Sequence, residues 1–151
     1  MPPPESDEVE IRPIRLDDAA QAAQLSTELG YPAEADDISA RIALLNDDAR
    51  HTVLVAVGNS KVLGWIDIAV VFHLQAAPYA EIGGLVVSAT ERSQGIGGKL
   101  LHAAEAWAAA QGLSRVVVRS RITRERAHRF YQREGYATVK TSMVFEKLLN
   151  R

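Results

Sequence analysis

The sequence predicts an α/β domain built around a mixed sheet, and three patterns predict it. Short β-branched runs alternate with stretches whose apolar residues recur at helical spacing. Gly58-Asn59 separates two of those runs as a hairpin turn would. A cluster of glycines joins a strand-like run to a helix in the second half of the chain. The order read from these patterns is β-α-α-β-β-β-α-β-α-β, with six to seven strands and about four helices.

Val9 to Ile14 reads as the first strand, with Pro13 near its end. Asp17 and Asp18 can cap a helix running to about Leu29, which sets Ala19, Ala22, Leu25 and Leu29 on one face. Gly30 and Pro32 stop it. Asp36 or Asp37 can cap a second helix with Ile38, Ile42 and Leu45 as its stripe. Thr52 to Val57 and Lys61 to about His73 form the hairpin. Ala80 to Ser88 is a strand interrupted by Gly83-Gly84, a pair expected to mark a bulge or a close approach by a ligand. The helix from about Gly95 to Gln111 is expected to bury Ile96, Leu100, Ala104 and Trp107, and Gly112 ends it. Ser114 to Ser120 reads as a short buried strand, and Arg124 to Glu134 as a helix stopped by Gly135. Tyr136 to Leu149 reads as a last strand, best from Ser142 onward.

At 151 residues the chain fits one domain, read as residues 9–151 behind a proline-rich, acidic tail at residues 1–8 that is expected to be disordered. The net charge is −2, with both signs mixed throughout, and no Lys/Arg stripe with interleaved aromatics supports nucleic-acid binding. Cysteine is absent, so disulfides, thiolate metal sites and a cysteine nucleophile are excluded. No metal is expected. No apolar run approaches the roughly 20 residues that span a bilayer, and the start carries no signal-peptide pattern. The expectation is a soluble cytoplasmic protein without a membrane partner.

The segment Arg92-Ser93-Gln94-Gly95-Ile96-Gly97-Gly98-Lys99 carries the chemistry. Its glycines let backbone come close to a partner, and the helix behind them contributes the positive end of its dipole. Such a turn receives an anion, most simply a phosphate. A dinucleotide fingerprint counted from Gly95 needs a sixth-place glycine, where Leu100 stands. A triphosphate loop ending in Gly98-Lys99 needs a glycine at Ser93 and a hydroxyl at Leu100. Neither nucleotide pattern survives.

Two motifs point elsewhere. Arg92, Gly95 and Gly97 follow Leu85-Val86-Val87 with an Arg/Gln-x-x-Gly-x-Gly/Ala spacing. Farther on stands Ala127-His128-Arg129-Phe130-Tyr131-Gln132-Arg133-Glu134-Gly135-Tyr136. In these motifs, and in the order of its elements, the chain resembles the GNAT superfamily of acyl-CoA-dependent N-acetyltransferases from about Glu10 to Leu149. Within it, Phe72-His73-Leu74, Glu81-Ile82 and the Ala-His-Arg-Phe-Tyr run resemble the aminoalkylphosphonate and small-amine acetyltransferases.

The resemblance implies a GNAT-like fold and a direct transfer of acetyl from acetyl-CoA to a primary amine. The turn from Gln94 to Lys99 would hold the pyrophosphate through backbone N–H groups, with Arg92 and Lys99 adding charge and Ser93 beside them. The strand at Leu85, Val86 and Val87 would pair with the pantetheine arm. Glu81, eleven residues before Arg92, would be the base, with His73, His128 or water as rivals. Tyr131 would donate a proton to the departing thiolate, although Ala127, Phe130 and Tyr131 also make an apolar helix face. Tyr31, Glu34, Asp36 and Asp37 could attract a cationic amine or simply cap a helix. A homodimer accords with family habit. Transfer to a protein lysine or N-terminus is the rival enzyme reading, and a non-catalytic acyl-CoA sensor is the rival of another class.

Overall fold

The predicted runs assemble in chain order into one sheet. The computed structural model describes residues 8–91, 94–121 and 123–150. Arg92, Ser93, Ile122 and all of the expected tail except Glu8 lie outside the described residues. Strands β1 (Glu10–Pro13), β2 (His51–Gly58), β3 (Lys61–His73), β4 (Ala76–Val87) and β5 (Val116–Val118) stand in the order β1-β2-β3-β4-β5. The first four pair antiparallel and β5 runs parallel to β4. Helices α1 (Ala19–Leu29), α2 (Ala35–Asn46), α3 (Ile96–Ala110) and α4 (Glu125–Arg133) complete the set. Two compact units are distinguished, Met1–Val118 with the sheet and α1 to α3, and Arg119–Arg151 with α4.

Period-two alternation gives the sheet two apolar faces. On one, Val53, Val55, Val62 and Val86 pack with Ala19, Ala22 and Leu25 of α1 and Ile42 of α2. Two hydrogen bonds fix α1 there: the Trp65 indole donates to the Ala22 carbonyl at 3.2 Å, and the Val62 amide donates to Gln21 Oε1 at 2.8 Å. On the other face Leu54, Ala56, Ile66, Ile68, Ala80 and Ile82 are buried, as are Ile96, Leu100, Leu101, Ala104 and Ala108 of α3. Gly64 locates α3 on that face, because a Cβ there would lie 3.2 Å from Leu100 Cδ1 and only 2.6 Å from the Val86 carbonyl oxygen. Each fully buried Ile or Leu in such a layer contributes about 1.5–3 kcal/mol.

Several local expectations are corrected. Asp18 does not cap α1 through its side chain; its carboxylate takes a two-pronged ion pair from Arg12 (2.8 and 3.0 Å) and a hydrogen bond from the Arg15 amide. A short 3-10 turn, Leu16–Asp18, leads into the helix instead. Glu34 is the N-cap of α2, and the Asp37 carboxylate accepts from the Glu34 amide at 3.2 Å. Trp107 is only half-buried, whereas Leu101 and Ala108 of the same helix are buried. The largest difference lies at the end of the chain. No strand forms over residues 136–150, so the sheet has five strands rather than six to seven. A strand exists only through its neighbours' backbone groups. The apolar residues that predicted one (Val139, Met143, Val144, Phe145, Leu148 and Leu149) are exposed.

Candidate active site

The centre of the sheet carries a bulge where Gly83-Gly84 predicts one. Asp67 of β3 faces Gly84 and Ile68 faces Ile82, which leaves Gly83 as the extra residue. A bulge bends its strand and raises local twist, and β4 behaves accordingly. It pairs with β5 only through Ala80, Glu81 and Ile82, matched to Val116, Val117 and Val118. Past the bulge, Leu85, Val86 and Val87 pair with β3 on one edge and have no β5 partner on the other. A strand edge with unpaired N–H and C=O groups is a template for an extended ligand. Leu85 and Val87 are half-buried, and Val86 belongs to the core.

At the end of that edge the chain turns into α3. Gly95 is the N-cap at φ +78°, a left-handed conformation that an L side chain adopts only with strain. Ile96 is buried and fixes the helix start in the core, so only its backbone can serve a ligand. The Lys99 amide closes the first helical bond onto the Gly95 carbonyl at 3.1 Å. The N–H groups ahead of it have no acceptor within the helix. Gly97 and Gly98 carry no side chain over them, while Gln94 and Lys99 are exposed beside them. The donor set therefore fits an anion. A shallow cavity of about 240 Å³ near the β2–β3 turn is lined by Lys61, Asn59, Glu91 and Gln94, and it lies away from the bulge.

Glu81 is half-buried on β4, opposite Ala69 and beside Val117. His51 also faces Ala69, so His51, Ala69 and Glu81 form one row across three strands on the α1/α2 face. Sequence reasoning passed over the neighbouring feature on that face. His51 Nε2 lies 2.8 Å from Asp67 Oδ1, and both side chains are partly exposed. Asp67 holds the His51 imidazolium, raising its pKa against the opposing effect of burial. The signal for it was a carboxylate between Ile66 and Ile68, both fully buried in a central strand.

In the second unit Tyr131 lies on α4, edge-on to Phe130 at 5.2 Å and to Tyr136 at 5.8 Å. Burial raises the pKa of its phenol, with Arg124 pulling the other way. The ring is thus both part of an aromatic cluster and a held proton. Of the rival bases, His128 Nε2 lies 2.7 Å from the Arg121 carbonyl, which can only accept, so that nitrogen carries the hydrogen. His73 Nε2 lies 3.2 Å from the Tyr79 hydroxyl. Tyr31 is exposed, and Glu34 and Asp37 serve the start of α2. Among the described residues no group of His, Asp and Glu is arranged to hold a metal, and no helix is long and apolar enough to cross a membrane.

Known proteins share the sequence and the fold to measurable extents. Residues 16–136 match the family described as Acetyltransferase (GNAT) family. The chain is 39% identical over 113 residues to the aminoalkylphosphonate N-acetyltransferase of Salmonella typhimurium, spanning 74% of this chain and 71% of that one. Among solved structures it resembles the aminoglycoside 6'-N-acetyltransferase AAC(6')-Ih of Acinetobacter baumannii, with a TM-score of 0.82, 19% identity, and 95% and 100% of the two chains covered. It also resembles AAC(6')-Iy, solved in complex with CoA, with a TM-score of 0.83, 15% identity, and 93% and 95% covered. At such identities these two structures speak for the fold alone. From the family match and the curated relative together, the chain belongs to the acetyltransferase (GNAT) family.

Proposed function

We propose that the chain moves an acetyl group directly from acetyl-CoA to the primary amine of a small molecule, with residues 9–151 acting as one domain. The observation that carries this is that β4 loses its β5 partner at the bulge, after Ile82, and continues through Leu85, Val86 and Val87 to the glycine start of α3. Acetyl-CoA supplies an activated thioester. The backbone from Gln94 to Lys99 receives its pyrophosphate, Arg92 and Lys99 add charge, Ser93 belongs to the same binding segment, and the edge at Leu85, Val86 and Val87 pairs with its amide arm. A backbone N–H on that edge also supports the charge that develops on the carbonyl oxygen.

An alkylamine with a pKa of about 10.4 presents its neutral form in only about one molecule in a thousand near neutral pH. Glu81 takes the proton from the ammonium, directly or through water, and such a base contributes roughly a hundredfold or more. As the C–S bond breaks, Tyr131 gives its proton to the sulfur. The raised phenol pKa supports this role, because it keeps the proton in place across the working pH range. The relative that acetylates aminoalkylphosphonates supports a small amine as acceptor. The cytoplasm is the setting of this reading. A homodimer belongs to it too, supported by the exposed apolar residues from Val139 to Leu149. Sedimentation at micromolar concentration tests that part, and a monomer removes it.

Acetyl-CoA at about 100 times its Kd stabilises a protein that binds it by about 2.7 kcal/mol. For a chain of this size the expected rise in Tm is roughly 5–10 °C. No shift at millimolar acetyl-CoA contradicts the proposal.

A further inference from the structure

We propose that Asp67, steadied by His51 above the bulge of β4, is the carboxylate that receives the ammonium group of the acceptor. This rests on the acetyl-transfer reading and adds a residue that neither family motif contains.

Asp67 occupies an improbable place. It sits in the third of five strands, flanked by Ile66 and Ile68, each fully buried on the opposite face. Aspartate is disfavoured in strands, and a central one offers it little packing. Its side chain lies on the α1/α2 face, in register with Val53 across β2, and stays partly exposed. Trp65, two residues earlier, is still tied to Ala22 of α1, and the space above Gly84 is closed by the Trp65 ring and Leu29. The next residue back along β4, Gly83, is exposed.

The carboxylate lies against this exposed glycine. A Cβ on Gly83 would stand 3.1 Å from Asp67 Oδ1, so the missing side chain of the bulge residue is what lets the oxygen lie there. His51 holds the same oxygen at 2.8 Å from the neighbouring strand. A carboxylate offers about four acceptor positions, and this contact uses one, leaving capacity for the N–H groups of an alkylammonium. Asp48 also bears on His51 electrostatically, and Arg50 pairs with Asp48 at 3.6 Å. Glu81 projects from the same face one row away. The geometry divides the work: Asp67 binds the cationic form and Glu81 removes its proton. His51 acts through Asp67 as a positioning residue.

The test compares acceptors that differ in charge. Asp67→Asn keeps the shape and an acceptor for His51 but removes the charge. With an aminoalkylphosphonate or another alkylamine that the wild type acetylates, its acceptor KM is expected to rise about 10-fold or more, as for loss of a charged hydrogen bond. Its KM for acetyl-CoA stays unchanged, and so does its KM for hydroxylamine, an acceptor uncharged near neutral pH. Gly83→Ala, which crowds the same oxygen without altering any charge, gives a smaller rise with the same selectivity. Unchanged acceptor KM in both variants, or an equal loss for charged and uncharged acceptors, overturns the assignment of Asp67 while leaving the transferase reading intact. Failure of the wild type to acetylate any amine overturns both.

Discussion

At the scale of single residues, the proposed chemistry rests on a few groups whose surroundings differ from those of ordinary surface side chains. Tyr131 is held among Phe130 and Tyr136, and burial raises its pKa. Tyr131→Phe preserves that packing and removes only the proton. Turnover is expected to fall about 100-fold, with acetyl-CoA affinity unchanged. Steady-state kinetics alongside a cofactor titration checks this, and unchanged turnover removes Tyr131 as the acid. Motif and spacing single out Tyr131 and Glu81 as proposed catalytic groups. The His51–Asp67 pair was not legible in the sequence, because its members stand sixteen positions apart and meet only through strand register. A charged residue in a run as apolar as Ile66-Asp67-Ile68 is the kind of local misfit that marks function.

At the scale of elements, the hairpin, the bulge and the glycine start of α3 follow from local chemistry. Asn59-Ser60 makes the hairpin turn at positive φ, one residue past the expected Gly58-Asn59 because Gly58 still pairs with Lys61; Gly83 has no partner on β3 although Gly84 faces Asp67; and Gly95 takes a backbone conformation that few other residues accept. Helix caps were harder to read. Asp17, Asp18, Asp36 and Asp37 all have cap chemistry, and sequence alone does not say which of them has a better partner elsewhere. For Asp18 that partner is Arg12, which ties β1 to the approach of α1. The guanidinium hydrogen bond is the main reason that the Asp18 carboxyl titrates below its usual range. Its contribution is therefore present above its unfolded pKa of about 3.9 and is lost as pH falls through the lower native value. Asp18→Asn, which leaves Arg12 without its buried partner, is expected to cost about 3 kcal/mol at pH 7. Urea denaturation should show that difference shrinking below about pH 4. A pH-independent difference contradicts the assignment.

For the molecule as a whole, the sequence supported the order of strands and helices up to α4, because hydrophobic period and turn residues are local signals. It overstated the sheet at the end of the chain. Tyr136 to Leu149 reads as strand, best from Ser142 onward, but pairing is a property of neighbours, and residues 136–149 join no strand of the sheet in the described structure. The donor side of the reaction is better defined than the acceptor side. In the proposed reading a glycine helix start and a strand edge take a phosphate and an extended amide arm, whereas many small amines suit a carboxylate. The most direct test of the central claim is release of free CoA thiol from acetyl-CoA over a panel of primary amines, aminoalkylphosphonates included. We expect acceptor-dependent release that saturates and matches N-acetylated product one for one. Release that no amine accelerates would contradict the account.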